Sequence, residues 1–129
     1  GAGVDTLTGG ADADVFVFSA GDTGITLATA DTIVDFATGA DDISVSGAGA
    51  TIADGTAQAD FAAFLVAADA VLTAGAGNDD VYVAYNAAGT GNAWVVVDEN
   101  DSGSVDADDT LIVLTGINLV TEIAVGDFV

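Results

Sequence analysis

The chain has no lysine, arginine or histidine, and no cysteine, proline or methionine. Against these absences stand 21 Asp and Glu residues, so its 129 residues carry a formal net charge of −21. Apart from one to the terminal amine, no internal salt bridge can form, and nothing inside the chain damps the self-repulsion of a compact state. Nucleic acid and anionic membrane surfaces are excluded as partners, because no side chain neutralises a phosphate or an acidic headgroup. Without His, Cys, Lys or Arg, only paired carboxylates of the glycosidase kind remain for catalysis. The acids cluster with glycine and not in any cleft pattern, so the chain is expected not to be an enzyme. No disulfide can staple the fold. The longest apolar run, Phe61 to Ala68, falls well short of the ~20 residues of a membrane span. Gly1-Ala2-Gly3-Val4 shows no Sec-type leader, which points to a processed or excised piece.

What is present pulls the other way from the charge. Apolar residues make up 51% of the chain and mean hydropathy is +0.58, far from the composition of an acidic disordered tail. Cations bound from solution reconcile the two signals. Short β-branched or aromatic runs bounded by Gly and Asp predict strands at Val15–Phe18, 32–34, 43–46, Val81–Tyr85, 93–97, 111–114 and 122–125. Gly89-Thr90-Gly91-Asn92 predicts a hairpin turn, and short loops favour antiparallel pairing. Over 56–73 the spacing of Phe61, Phe64, Leu65, Ala68, Val71 and Leu72 predicts one helix, capped by Asp54 or Thr56 and ended by Gly75. Its apolar stripe, like Trp94, Tyr82 and Tyr85, reads as core.

Glycine and aspartate recur together at the N-terminus. Gly1-Ala2-Gly3-Val4-Asp5-Thr6-Leu7-Thr8 is followed at once by Gly9-Gly10-Ala11-Asp12-Ala13-Asp14-Val15-Phe16-Val17, a nine-residue period of glycine turn, Asp and apolar anchor. Glycine permits positive φ, so turn carbonyls can converge, and Asp adds charged oxygen; calcium takes six to eight such ligands. The alternative is a Gly-Asp turn of structural use only. The repeat resembles the RTX family, whose unit is G-G-x-G-x-D-x-U-x and whose fold is a calcium-loaded parallel β-roll. Gly1, Gly3, Asp5 and Leu7 match one copy; Gly9, Gly10, Asp14 and Phe16 match the next, with Asp12 in place of a glycine. Two copies cannot complete a roll, so the stretch resembles the end of an array. Asp31-Thr32-Ile33-Val34-Asp35-Phe36, with Gly39, Asp41, Asp42 and Ile43, resembles the element that closes such rolls, which implies that Asp31 or Asp35 completes a site with the second turn. Ordinary surface acids are the alternative.

A second constellation is Asp98-Glu99-Asn100-Asp101-Ser102-Gly103-Ser104-Val105-Asp106-Ala107-Asp108-Asp109. It resembles the twelve-residue EF-hand loop, with Asp98, Asn100, Ser102, Ser104, Asp106 and Asp109 at ligand positions, Gly103 at the sharp turn and Val105 at the apolar position. The last ligand is Asp where the EF-hand has Glu, as in dockerin-like loops, and strands are predicted on either side in place of helices. An acidic hairpin loop without metal is the alternative. Gly75-Ala76-Gly77-Asn78-Asp79-Asp80-Val81 has weaker spacing of the same kind and reads equally as the turn that ends the helix.

The expected fold is therefore mainly β. The end of a calcium-binding parallel β-roll with closing strands (1–46) is followed by an antiparallel, sandwich-like domain with one helix (47–129), the whole forming one compact unit. Gly126-Asp127-Phe128-Val129 resembles the acid-then-apolar ending of type I secretion substrates. The expected function is a Ca²⁺-dependent folding and C-terminal export module of an extracellular protein handled by type I secretion machinery. The other expectation is a self-associating surface-layer, matrix or filament subunit in which calcium bridges copies.

Overall fold

A computed structural model describes residues 1–45, 52–74, 81–87, 91–117 and 123–129. Its strands are β1 (Thr6–Leu7), β2 (Val15–Phe18), β3 (Asp31–Ile33), β4 (Asp42–Val45), β5 (Ile52–Asp54), β6 (Val81–Tyr85), β7 (Asn92–Val97) and β8 (Thr110–Thr115). One helix, α1 (Phe61–Ala74), lies between β5 and β6. The protein is thus mainly β with a single helix.

A six-stranded sheet has the order β1-β3-β8-β7-β6-β5, and a second sheet consists of β2 and β4. Three apolar runs, Val81–Tyr85, Asn92–Val97 and Thr110–Thr115, form its antiparallel centre, in register Tyr85↔Ala93 and Val97↔Thr110. They are apolar at nearly every position because both faces of the sheet are covered. Val83, Val95 and Ile112 point towards the small sheet, where Phe16, Phe18, Ile43 and Val45 complete one core. Tyr82, Trp94, Val96 and Leu111 point the other way, against Phe64, Ala68 and Leu72 of α1. Each fully buried Val, Leu, Ile or Phe contributes about 1.5–3 kcal/mol.

The flanks pair parallel, β1–β3, β3–β8 and β5–β6, so the large sheet is mixed; β5–β6 departs from the antiparallel pairing expected over 47–129, whereas parallel strands are expected over 1–46. For β5 and β6 the reason is the helix between them, since a crossover of that length returns the chain in the same direction. Strands β1 to β4 alternate between the two sheets, β1 pairing β3 and β2 pairing β4, so contacts form 26 or 27 residues apart and not between adjacent nine-residue copies.

The helix begins later than its periodicity predicts. Gly55 N–H donates to Val83 O, Gln58 N–H to Tyr85 O and Ala87 N–H to Gln58 O, so residues 55–58 remain laddered against β6. Neither Asp54 nor Thr56 is the cap. Asp60 is: its Oδ1 accepts the Ala63 N–H at 2.8 Å. Asp60→Ala is expected to lower stability by about 1 kcal/mol, read as the midpoint of urea unfolding.

At the C-terminus the strand predicted over 122–125 is absent from residues 123–125. Asp127 takes the Ala124 N–H on Oδ2 and gives its own N–H to Ala124 O, bending the chain into a 3-10 turn, Val125–Asp127. Beyond it, Phe128 bridges Ile43 in parallel and Val129 N–H donates to Ile43 O at 3.1 Å. The chain end therefore adds itself to the outer edge of β4. Among the described residues no helix is long and apolar enough to cross a membrane. The expected glycine–aspartate turn at 75–80, the turn residues Gly89 and Thr90, and Ser46 and Glu122 lie outside the described residues.

Candidate cation-binding loops

The N-terminal turns are built by a ladder of carboxylates receiving backbone amides. Asp31 Oδ1 accepts Asp5 N–H at 2.8 Å, and Asp41 Oδ1 accepts Asp14 N–H at 3.1 Å. Asp35 takes two successive amides, Gly9 N–H at 3.0 Å and Gly10 N–H at 2.9 Å. Gly3 and Gly10 hold positive φ (139° and 114°), as the turns require. Gly9 is needed for space: a Cβ there would lie 2.6 Å from Asp14 Oδ2. That oxygen is buried without a hydrogen-bond partner. The Gly1 amine stands 3.9 Å from Asp5 Oδ2 and 4.0 Å from Asp22 Oδ1, while Asp12 is exposed. The expected residues are thus brought to the same turns, where Asp31 and Asp35 accept backbone amides from the segments that carry Asp5 and Gly10.

Three buried polar residues here escaped the sequence reading as functional positions. Asp41 clamps Ala37 N–H as well as Asp14 N–H. Thr23 receives Asp31 N–H and donates to Leu111 O, each at 2.8 Å. Asp127 holds the turn that carries Asp41, accepting Gly39 N–H at 2.8 Å and Thr38 Oγ1–H at 2.7 Å. In the sequence Asp41 is noticed beside Gly39 and Asp127 in the C-terminal acid-then-apolar ending, neither as a backbone clamp, and Thr23 carries no signal. Burial raises the Asp31 carboxyl above its ordinary range; the Asp5 amide opposes this and the Asp5 carboxylate adds to it.

The loop 98–109 joins β7 to β8 at the end of the sheet centre, and it does gather its predicted ligands. Asp98 accepts Ser102 N–H at 3.1 Å and Gly103 N–H at 2.8 Å; Asp101 (φ 53°) and Gly103 (φ 71°) make the sharp turn. Asn100 Oδ1 also accepts Ser102 N–H, at 2.9 Å, and its Nδ2 reaches both Asp106 oxygens at 3.3 Å. Ser102 Oγ lies 3.2 Å from Asp106 Oδ2 and 3.3 Å from Ser104 Oγ. Asp109 Oδ2 accepts Asp106 N–H at 2.7 Å. Asp109 is only 1% exposed, and its Oδ1 is buried with no partner.

The charges in this loop are unequal in fate. The Asp108 amide, then the Asn100 amide group, hold the Asp106 carboxyl below its ordinary range. Burial, reinforced by the Asp98 and Asp106 carboxylates, pushes Asp109 up to about 6. The folded, cation-free protein therefore keeps a proton on Asp109 that the unfolded chain releases near pH 4. Its stabilising effect is present below that pH and is lost as pH rises through about 6, a loss of about 3 kcal/mol. Asp31 acts in the same direction. Cation-free protein should thus have a higher urea midpoint at pH 5 than at pH 8, the reverse of ordinary acid lability; equal midpoints would contradict the burial of Asp109.

Among the described residues no group of three or more Asp or Glu side chains forms a ready-made metal cage. In the loop, backbone amides and Asn100 occupy much of the carboxylate capacity. No protein-family model matches the chain, and no curated protein matches it closely enough to be called a relative.

Proposed function

We propose that the chain is a calcium-dependent folding and C-terminal export module of an RTX-type exported, extracellular protein. One observation carries this reading. Asp109 is buried with an unpartnered oxygen beside the Asp98 and Asp106 carboxylates, in a chain with no positive side chain to answer them. The donor set is all oxygen, which suits a hard divalent cation. Asp98, Asn100, Ser102, Ser104, Asp106 and Asp109 would hold Ca²⁺, whose charge would offset repulsion that dipoles alone offset incompletely. The alternation of β1 to β4 between two sheets supports the roll reading for the N-terminal turns, where Gly1, Gly3, Asp5, Gly10, Asp12, Asp14, Asp31 and Asp35 are the candidate contributors.

Where calcium is scarce, mutual repulsion favours the open chain, which suits passage through type I secretion machinery. Where calcium is abundant, its binding free energy becomes folding free energy. A second reading, a self-assembling surface-layer, matrix or filament subunit, is favoured by β2: it lies at the free edge of the small sheet with Val15 (56%) and Val17 (66%) exposed. Adding calcium to chelated protein while following circular dichroism and light scattering separates the two. Folding without growth in mass supports the export module, and folding with ordered growth supports the assembler. A chain unchanged by calcium in both readouts rules out each.

A further inference from the structure

The loop 98–109 is tied to α1 by a hydrogen bond whose acceptor lies on the helix. Asp69 Oδ1, on the helix, accepts the Val105 N–H at 3.0 Å across 36 residues of sequence. We propose that Asp69 is a positioning residue for cation binding in this loop, and that loop occupancy and helix docking form one linked equilibrium. The proposal rests on the calcium reading of the loop.

Val105 stands immediately before Asp106, so holding its amide anchors the chain one peptide ahead of the one that carries the Asp106 N–H. The Asp106 carboxylate gathers Asn100 Nδ2, Ser102 Oγ and the Asp108 amide, and its own N–H is held by Asp109. A hold on one amide is thereby passed to two of the loop's three clustered acids. The Val105 side chain reinforces the tie: it packs, partly buried, on the same core as Phe61, Phe64 and Leu65 of α1. With Ile25, Leu65, Val66 and Asp69 it lines a surface groove of about 330 Å³ between helix and loop. A carboxylate placed beside an acidic loop costs energy in a chain without bases; receiving an amide from that loop offsets the cost.

The helix end of the link has a built-in reporter. Trp94, the single tryptophan, lies with its ring centroid 5.6 Å from Phe61 and 5.4 Å from Phe64. Movement of α1 therefore changes the surroundings of the indole.

The test titrates calcium ion into the full chelated chain, reading calcium affinity and Trp94 emission for the native protein, Asp69→Ala, Asp69→Asn and Asp60→Ala. Asp69 is exposed and alanine favours helix, so Asp69→Ala keeps the helix itself. Calcium is expected to shift Trp94 emission in the native chain. Asp69→Ala should weaken loop affinity roughly tenfold or more, the worth of a hydrogen bond to a charged group, and flatten the Trp94 response. Asp69→Asn, which keeps an acceptor oxygen, should restore most of both, and Asp60→Ala, which weakens the helix away from the loop, should lower affinity clearly less than Asp69→Ala does. Native affinity and response in Asp69→Ala, or a loss in Asp60→Ala as large as that in Asp69→Ala, would overturn the positioning role of Asp69 while leaving the calcium reading intact. A native chain that binds no calcium would overturn the reading itself.

Discussion

Asp109→Asn should make the cation-free protein more stable at neutral pH and, in the same molecule, abolish the stabilisation that calcium gives through the 98–109 loop. The two effects have one cause. Asp109 Oδ2 accepts Asp106 N–H, and an asparagine oxygen can continue to do so. The asparagine amino group then takes the place of the unpartnered Oδ1 and removes the charge that repels the Asp98 and Asp106 carboxylates. Raising a carboxyl to about 6 corresponds to about 3 kcal/mol of destabilisation at neutral pH, and the substitution should recover a large part of it. The cost falls on the metal: a charged ligand is lost at the most buried position of the loop. At a calcium concentration a hundredfold above its dissociation constant, the native chain gains about 2.7 kcal/mol per site, and Asp109→Asn should forfeit that gain at this loop. Urea unfolding of both proteins, with chelator and with calcium, reads both signs. A variant less stable than the native chain in chelator would contradict the idea that Asp109 is held against its own charge.

The second large effect lies at the opposite end of the fold. Asp127→Ala should lower stability by about 3–5 kcal/mol, and Asp127→Asn by less. Asp127 is 2% exposed and receives Gly39 N–H, Thr38 Oγ1–H and Ala124 N–H. Each buried donor left unsatisfied costs about 1–3 kcal/mol, whereas asparagine keeps one acceptor oxygen. Domains of this size are stable by only about 5–15 kcal/mol, so the alanine variant sits near the limit of folding. The loss also travels: the same turn carries Asp41, which clamps Asp14 N–H, and Val129 N–H pairs with Ile43 of β4. Hydrogen exchange should therefore show lost protection at Asp14 as well as at Gly39. Protection lost only at residues 124–129 would mean that the chain end is not a latch on the N-terminal turns.

How far these features were legible in the sequence depends on how local their causes are. Val81–Tyr85, Asn92–Val97 and Thr110–Thr115 declared themselves because burial on both faces writes apolar residues at nearly every position. The hydrogen-bonded turn of the 98–109 loop was also legible, since Asp98, Asn100, Ser102, Asp106 and its Gly103 turn lie within one short segment. The start of α1 was misplaced because Gln58 is retained by β6, a contact that helical periodicity does not contain. Parallel strands were expected in the first 46 residues, but not their partners: β1 joins β3 and β2 joins β4 across 26 or 27 residues, a separation that a nine-residue spacing does not contain. Thr23 was hidden for the same reason, and Asp41 and Asp127, though noticed within motifs, did not show their clamping roles: each is hydrogen-bonded to a partner distant in sequence.

The most direct test is the unfolding free energy of the chelated protein as calcium is added at neutral pH. Binding to the folded state alone predicts a rise of about 1.4 kcal/mol for each tenfold increase beyond the dissociation constant, per site engaged. Magnesium, which resists dehydration and demands a tighter octahedral shell, should give a much smaller rise. A free energy that stays flat as calcium increases, with the native chain already folded in chelator, would contradict the claim that a cation supplies the positive charge this sequence lacks.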